Sequence, residues 1–480
     1  MQYFLSNDQN KWQDEISFET KEVALTREMG TFHVALLGYG AMVGASIFIL
    51  AGITMGYVDP GTGIMVGSGV IIALILNYIV SLVTALNYAE LSSGSPEVGG
   101  GYLWVKEATN ETIGFISGWI SWLGHSIACA FYIIVINKGI IWLTGADENN
   151  NVNLLLFQVH FKVISTGIAI LIAVFFLWIN YHGVSSTGYA ELLIILVQVS
   201  ILFIFSIFAI IKAITTPNSL QNFSNMFSIP LNPIIVVMGI LFIAFEGYEI
   251  CAQAGEEAVN PEKTIPKAIV ISLTALFFTY IFVFVSAIAG NLEPTIIQGK
   301  DEGLIKASEV LIPILGPIMI IAMIFGAVAT LNATIYSSSR VALALSRDNN
   351  LPKQFLKIHP TTRTPWVSIW GSGLLIIFIV IFLDLQDVIA SADIMFLLLF
   401  TMVNYSAIIL RKRKGSFPFK TPFFPAMPII GLITKFIIAV FLYEASPTAW
   451  YVAIIWVIFG LVFKLVSKKV KFIRTSLYLE

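Results

Sequence analysis

Residues 36–52 read LLGYGAMVGASIFILAG. The run is apolar enough to cross a membrane. Yet it holds Gly38, Gly40, Gly44 and Gly52, with a polar Ser46 near its middle. Each glycine weakens a helix by roughly 0.8–1 kcal/mol relative to alanine. Two readings compete. Small residues let neighbouring helices approach closely, and that account suits Gly38 and Gly52. Deliberate unwinding frees backbone amides and carbonyls, which lipid tolerates only beside protein or a cavity. That account suits Gly44-Ala45-Ser46, provided a second interruption lies elsewhere in the chain.

Composition sets the class. The chain has 480 residues, 57% hydrophobic and 12% charged, with a mean hydropathy of +0.86. Soluble domains average about 25% charged, so this is an all-α integral membrane protein whose first partner is the lipid bilayer. The net charge of −2 selects no partner, and no nucleic acid is expected. Cys129 and Cys251 lie in apolar runs and read as buried, reduced thiols. No metal-ligand spacing is visible and no cofactor is expected. In the expected cytoplasmic N-terminal segment 1–32, residues 1–30 are polar and acid-rich (Asp14, Glu15, Glu19, Glu22, Glu28), unlike a cleaved signal.

A span needs about 20 mostly apolar residues. Twelve runs qualify: 33–57, 62–87, 111–143, 162–181, 189–212, 231–256, 266–290, 316–345, 366–383, 387–410, 426–444 and 448–467. Basic residues cluster in the connections 346–365 and 411–425 and in the tail 468–480. The connections 144–161, 213–230, 384–386 and 445–447 have no Lys or Arg. This asymmetry predicts cytoplasmic ends for both termini.

The second interruption is in the sixth span, where Glu246, Gly247 and Glu249 break an apolar run. A charged side chain at mid-bilayer costs about 2.5–3.5 kcal/mol on insertion scales, so two such carboxylates call for a role. The sixth span follows the first by five, an odd offset, so the two cross in opposite senses. The pattern predicts an inverted repeat, 33–212 against 231–410, followed by two extra helices over 426–467. Interrupted spans in matching places of two halves point to a transporter's binding site.

Four segments carry a family resemblance: GAMVGASIFILAG (40–52), YAELSSGSPEVGGGYLWVKEA (88–108), FIAFEGYEICAQAGEEAVNPEKTIPKAI (242–269) and LRKRKGSFPFKTPFFPAMPIIG (410–431). The chain resembles the amino acid–polyamine–organocation superfamily of secondary transporters, which have the LeuT-like fold, over nearly its whole length after residue 28. The resemblance implies a permease of the cell membrane that moves amino acids by alternating access, with discontinuous helices 1 and 6. It puts the substrate's α-carboxylate at Gly44, Ala45 and Ser46. It puts the α-ammonium at the backbone of Ala41, Phe245 and Glu246, next to Gly247, and brings Ser126 of span three toward the substrate. Two departures stand out. Ser46 replaces a usual glycine. Gln198 lies near where many sodium-independent relatives carry a lysine.

The candidates for coupling follow. Burial disfavours a charged carboxylate, so Glu246 and Glu249 are candidates to bind H+. Either could instead be a counter-charge for a cationic substrate, or a structural group bonded to the break's amides. His125 is a mid-span histidine, either a proton carrier or a neutral hydrogen-bonding residue. Thr330, Thr334 and Ser337 share one face of span eight, where hydroxyls complete a Na+ site in sodium-coupled relatives or simply bond helix to helix. Lys435 reads as snorkelling or locally paired. The stretch 294–317 reads as an external helical lid. Proton-coupled amino acid uptake is the expectation. Exchange of cationic amino acids or amines, and sodium symport, are the alternatives. An enzyme is disfavoured by the absence of H-E-x-x-H, G-x-S-x-G and phosphate-loop patterns. A channel is disfavoured because the symmetry is internal to one chain.

Overall fold

A computed structural model describes residues 27, 29–94, 100–144, 151–154, 157–183, 188–415 and 417–476. The expected N-terminal segment falls almost wholly outside the described residues. So do residues 95–99 within the second motif.

The first apolar run folds as α1 (Thr31–Val43) and α2 (Ser46–Met55), which meet at a 44° bend. Gly44 between them has φ +34° and ψ −133°, a region that side chains with a Cβ rarely enter. Next come α3 (Val70–Gly94), α4 (Gly100–Ala108) and α5 (Glu111–Thr144). A two-stranded antiparallel ribbon of β1 (Asn151–Leu154) and β2 (Phe157–His160) pairs Val152 with Val159. The expected all-helical chain therefore carries one hairpin in a connection, where backbone groups pair locally. The first half ends with α6 (Phe161–His182) and α7 (Gly188–Thr215).

The sixth run is α8 (Leu231–Ile240), a tight 3₁₀ turn Phe242–Phe245, and α9 (Tyr248–Gln253). Glu246 is extended (φ −80°, ψ 145°) and Gly247 has φ +125°. Then follow α10 (Pro261–Ala289), α11 (Glu293–Gly299), α12 (Gly303–Leu311), α13 (Leu315–Arg347), α14 (Trp366–Phe382), α15 (Leu385–Lys414), α16 (Ala426–Phe441) and α17 (Pro447–Ser476). Among the described residues eight helices are long and apolar enough to cross a membrane, and up to ten if each of two bent pairs is one span. α14 and α16 are shorter apolar helices. The chain is thus a multi-pass membrane protein.

Expected edges shift in places. Helix begins at Gly67 and not at 62, because Val58 and Met65 bridge across a turn first. It begins at Pro261 and not at 266, because proline fits the first helical position.

Buried polar groups tie the helices together. Asn87 of α3 donates to Asn404 of α15 at 2.6 Å, and Asn404 donates to Thr84 at 3.1 Å. Such interhelical bonds contribute about 0.6–2 kcal/mol each. α11 and α12, in the connection read as a lid, pack against α2. A Cβ at Gly52 would strike the Lys300 and Ile296 carbonyls, so only glycine lets the lid sit this close. Lys138 of α5 pairs with Asp301 at 3.0 Å. Gly38 is also a packing glycine, its backbone lying against the Cys251 sulfur. Both cysteines are free and buried.

Candidate functional site

A helix that stops leaves its last carbonyls without partners in its own ladder, and one that starts leaves its first amides so. At the end of α1 three other helices supply donors. Tyr280 of α10 donates to Val43 O at 3.2 Å. Gln198 of α7 donates to Gly44 O. Thr330 of α13 donates to Gly326 O at 2.9 Å and approaches Gly40 O at 3.4 Å. The Gly44 amide completes the last turn of α1 by donating to Gly40 O at 3.2 Å, so it is occupied. The first amides of α2, Ala45 and Ser46, have no partner in their own helix ladder, and the Ile47 amide faces Tyr280.

The two interruptions touch. A Cβ on Gly247 would lie 2.9 Å from Met42 Cγ and 3.1 Å from the Ala41 carbonyl carbon. Above Gly44, the Tyr132 ring and hydroxyl stand 3.3 and 3.5 Å from where a Cβ would be. Ser46 is fully buried, and its hydroxyl lacks a hydrogen-bond partner of ordinary geometry. Phe245 is fully buried with its ring 6.4 Å from that of Tyr280. Ala41, Gly40, Leu37, Ile195 and Thr330 help line a small cavity beside the break.

The two carboxylates differ in their surroundings. Glu249 accepts from the Gly247 amide at 2.8 Å, which caps the start of α9. Glu246 is 6% exposed and its Oε1 has no partner.

A profile of the amino acid permease family matches residues 29–463. The chain belongs to the amino acid permease family. This permease is 28% identical to the branched-chain amino acid permease BcaP of Bacillus subtilis over 94% of its own length and 95% of the relative's. It is 27% identical to the methylthioribose transporter of B. subtilis, over 95% and 96% of the two chains. It is 25% identical to the serine/threonine exchanger SteT of B. subtilis, over 87% and 92%. The relatives are permeases and transporters, and this chain is a transporter and not an enzyme.

In the permease, several expected residues converge and others are used elsewhere. Ala41, Gly44, Ala45, Ser46, Phe245, Glu246, Gly247, Gln198 and Thr330 lie at or against the two breaks. Ser126 bonds Trp122 O at 2.8 Å and Ser338 Oγ at 3.0 Å. His125 Nδ1 is 2.8 Å from Ser121 O, and its ring lies edge-on to Phe396 at 5.0 Å. Thr334 bonds back to Thr330 O at 2.7 Å within its own helix. Ser337 reaches Gln253 at 2.8 Å, at the end of α9. These four have their hydrogen bonds away from the breaks.

Lys435 corrects the sequence reading. It does not snorkel but is fully buried, 3.1 Å from Ser81 Oγ and 3.9 Å above the Phe242 ring. Asp393 of α15 escaped the sequence reading altogether. It is fully buried, faces the Ile243 backbone, and neither carboxyl oxygen has a hydrogen-bond partner of ordinary geometry. The signal was present, since a lone Asp inside the apolar run IASADIMFLLLF carries the same insertion penalty that drew attention to Glu246.

Proposed function

We propose that this permease takes up amino acids across the cell membrane by alternating access, coupled to protons, with both termini in the cytoplasm. The contact between the two helix breaks carries the reading. At the start of α2, the Ala45 and Ser46 amides and the helix dipole suit a carboxylate. Carbonyls at Ala41 and Phe245, with the backbone of Glu246, suit an ammonium. Ser46 adds a buried hydroxyl that supports a further contact to the carboxylate. Twelve crossings, as two inverted sets of five over 33–212 and 231–410 with two further helices, account for the matching positions of the breaks. The names of the relatives support amino acids as the substrate class: one is a branched-chain amino acid permease and another a serine/threonine exchanger.

Protons are favoured over sodium by Gln198. Its amide donor is bonded to Gly44 O, which engages one of the first-span carbonyl oxygens that a hard cation would use as ligands. Glu246 is the favoured proton carrier, since Glu249 is committed to Gly247. The partnerless oxygen of Glu246 also supports a second reading, exchange of cationic amino acids or amines.

Uptake into proteoliposomes across a panel of radiolabelled amino acids, with pH and sodium gradients imposed separately, tests the proposal. Accumulation driven by an inward proton gradient without sodium is expected. Uptake that needs sodium and ignores pH would overturn it. Glu246→Gln should abolish the pH-driven component; unchanged coupling would leave Glu246 a structural group.

A further inference from the structure

Glu246 does not stand alone. Lys435 on α16 stands 3.9 Å above the Phe242 ring, four residues before Glu246, and Asp393 on α15 faces the Ile243 backbone, three residues before it, so the three side chains share one electrostatic neighbourhood. All three side chains are at least nine-tenths buried. None forms an ion pair within 4 Å with another of the three, and three carboxylate oxygens (Glu246 Oε1, Asp393 Oδ1 and Oδ2) have no hydrogen-bond partner of ordinary geometry. Lys435 spends one N–H on Ser81 and faces the Phe242 ring.

The charge sum decides what such a cluster needs. Two carboxylates and one ammonium leave a net charge of −1 when all are ionised. An uncompensated charge in a low-dielectric interior is costly. One bound proton brings the sum to zero and turns one bare oxygen into a donor. The other titratable groups around Glu246 do not balance the sum. Glu249 is a further acid already bonded to Gly247. Tyr132 and Tyr248 face Glu246, and Tyr88 faces Glu249 and Tyr248; tyrosines are neutral near pH 7.

We infer that Glu246, Asp393 and Lys435 form one shared proton site, with Lys435 as a built-in counter-cation that fixes the occupancy at a single proton. The proton belongs to the cluster and not to one carboxyl. Because the three residues come from the sixth-span break, α15 and α16, any movement of the break against those helices changes the charge balance. That links proton occupancy to the conformation of the site. The inference deepens the proposed proton coupling and adds two residues to it.

Charge counting makes the test specific. Asp393→Asn needs no proton for neutrality, Lys435→Met needs two, and the double variant again needs one. The first readout is the thermal unfolding midpoint of the purified full-length protein between pH 5.5 and 8.5. A proton held only by the folded state makes stability fall as pH rises. The slope should flatten in Asp393→Asn, steepen in Lys435→Met and return toward wild type in the double variant. The second readout is uptake of L-leucine and L-serine under a pH gradient, divided by counterflow at equal pH. That ratio should drop in Asp393→Asn to the value found without a gradient. Equal pH slopes in all four proteins, or a double variant no closer to wild type than the singles, would overturn the shared site. If wild type carries neither probe, leucine and serine are not its substrates and the unfolding slopes still decide the inference.

Discussion

At the residue scale, two glycines and one carboxylate do most of the positioning. Gly44 at φ +34° and Gly247 at φ +125° hold backbone that other residues adopt only under strain of about 1–3 kcal/mol. Gly247→Ala adds crowding, because its Cβ would press on Met42 and Ala41. Its unfolding midpoint should fall, and uptake should fall further than the stability loss explains, since the substrate backbone contacts shift with the break. Both glycines were legible in the sequence, because glycine close to a polar or charged residue in mid-span marks a place where the helix can break. What was not legible was the division of labour between Glu246 and Glu249. The two are three positions apart in one run, and only the fold shows that one bonds the Gly247 amide while the other has a bare oxygen.

At the element scale, the lid and the break depend on close approach. α11 and α12 reach α2 only because residue 52 is glycine. Gly52→Leu should prevent the lid from seating. A cysteine placed at Ile53, introduced after replacing Cys129 and Cys251, should then react faster with a membrane-impermeant thiol reagent than in the Gly52 background. The connection that packs over α2 stood out as long and half-apolar, and the packing role of Gly38 and Gly52 was readable from their small size. The burial of Lys435 was not. A lysine in a lipid-facing helix ordinarily extends its charge to water, and what holds this one inward comes from distant segments: Ser81 of α3, the Phe242 ring and Glu246 of the sixth-span break, and Asp393 of α15. Pairings so far apart in the chain leave no local pattern.

At the scale of the whole molecule, membrane class and family were evident from composition and four motifs, and the described helices agree with a multi-pass transporter. The proposed twelve crossings put both ends on one side. Epitope tags at residue 1 and residue 480 should both resist protease in intact cells, and one exposed tag would require an odd number of crossings. The central claim is that the two breaks together hold the substrate. Its most direct measurement is substrate protection of Ser46→Cys in a protein lacking Cys129 and Cys251. A transported amino acid at saturating concentration should slow labelling at position 46 and leave a control cysteine at Thr62 unaffected. Equal labelling rates at position 46 with and without the amino acid would contradict the account.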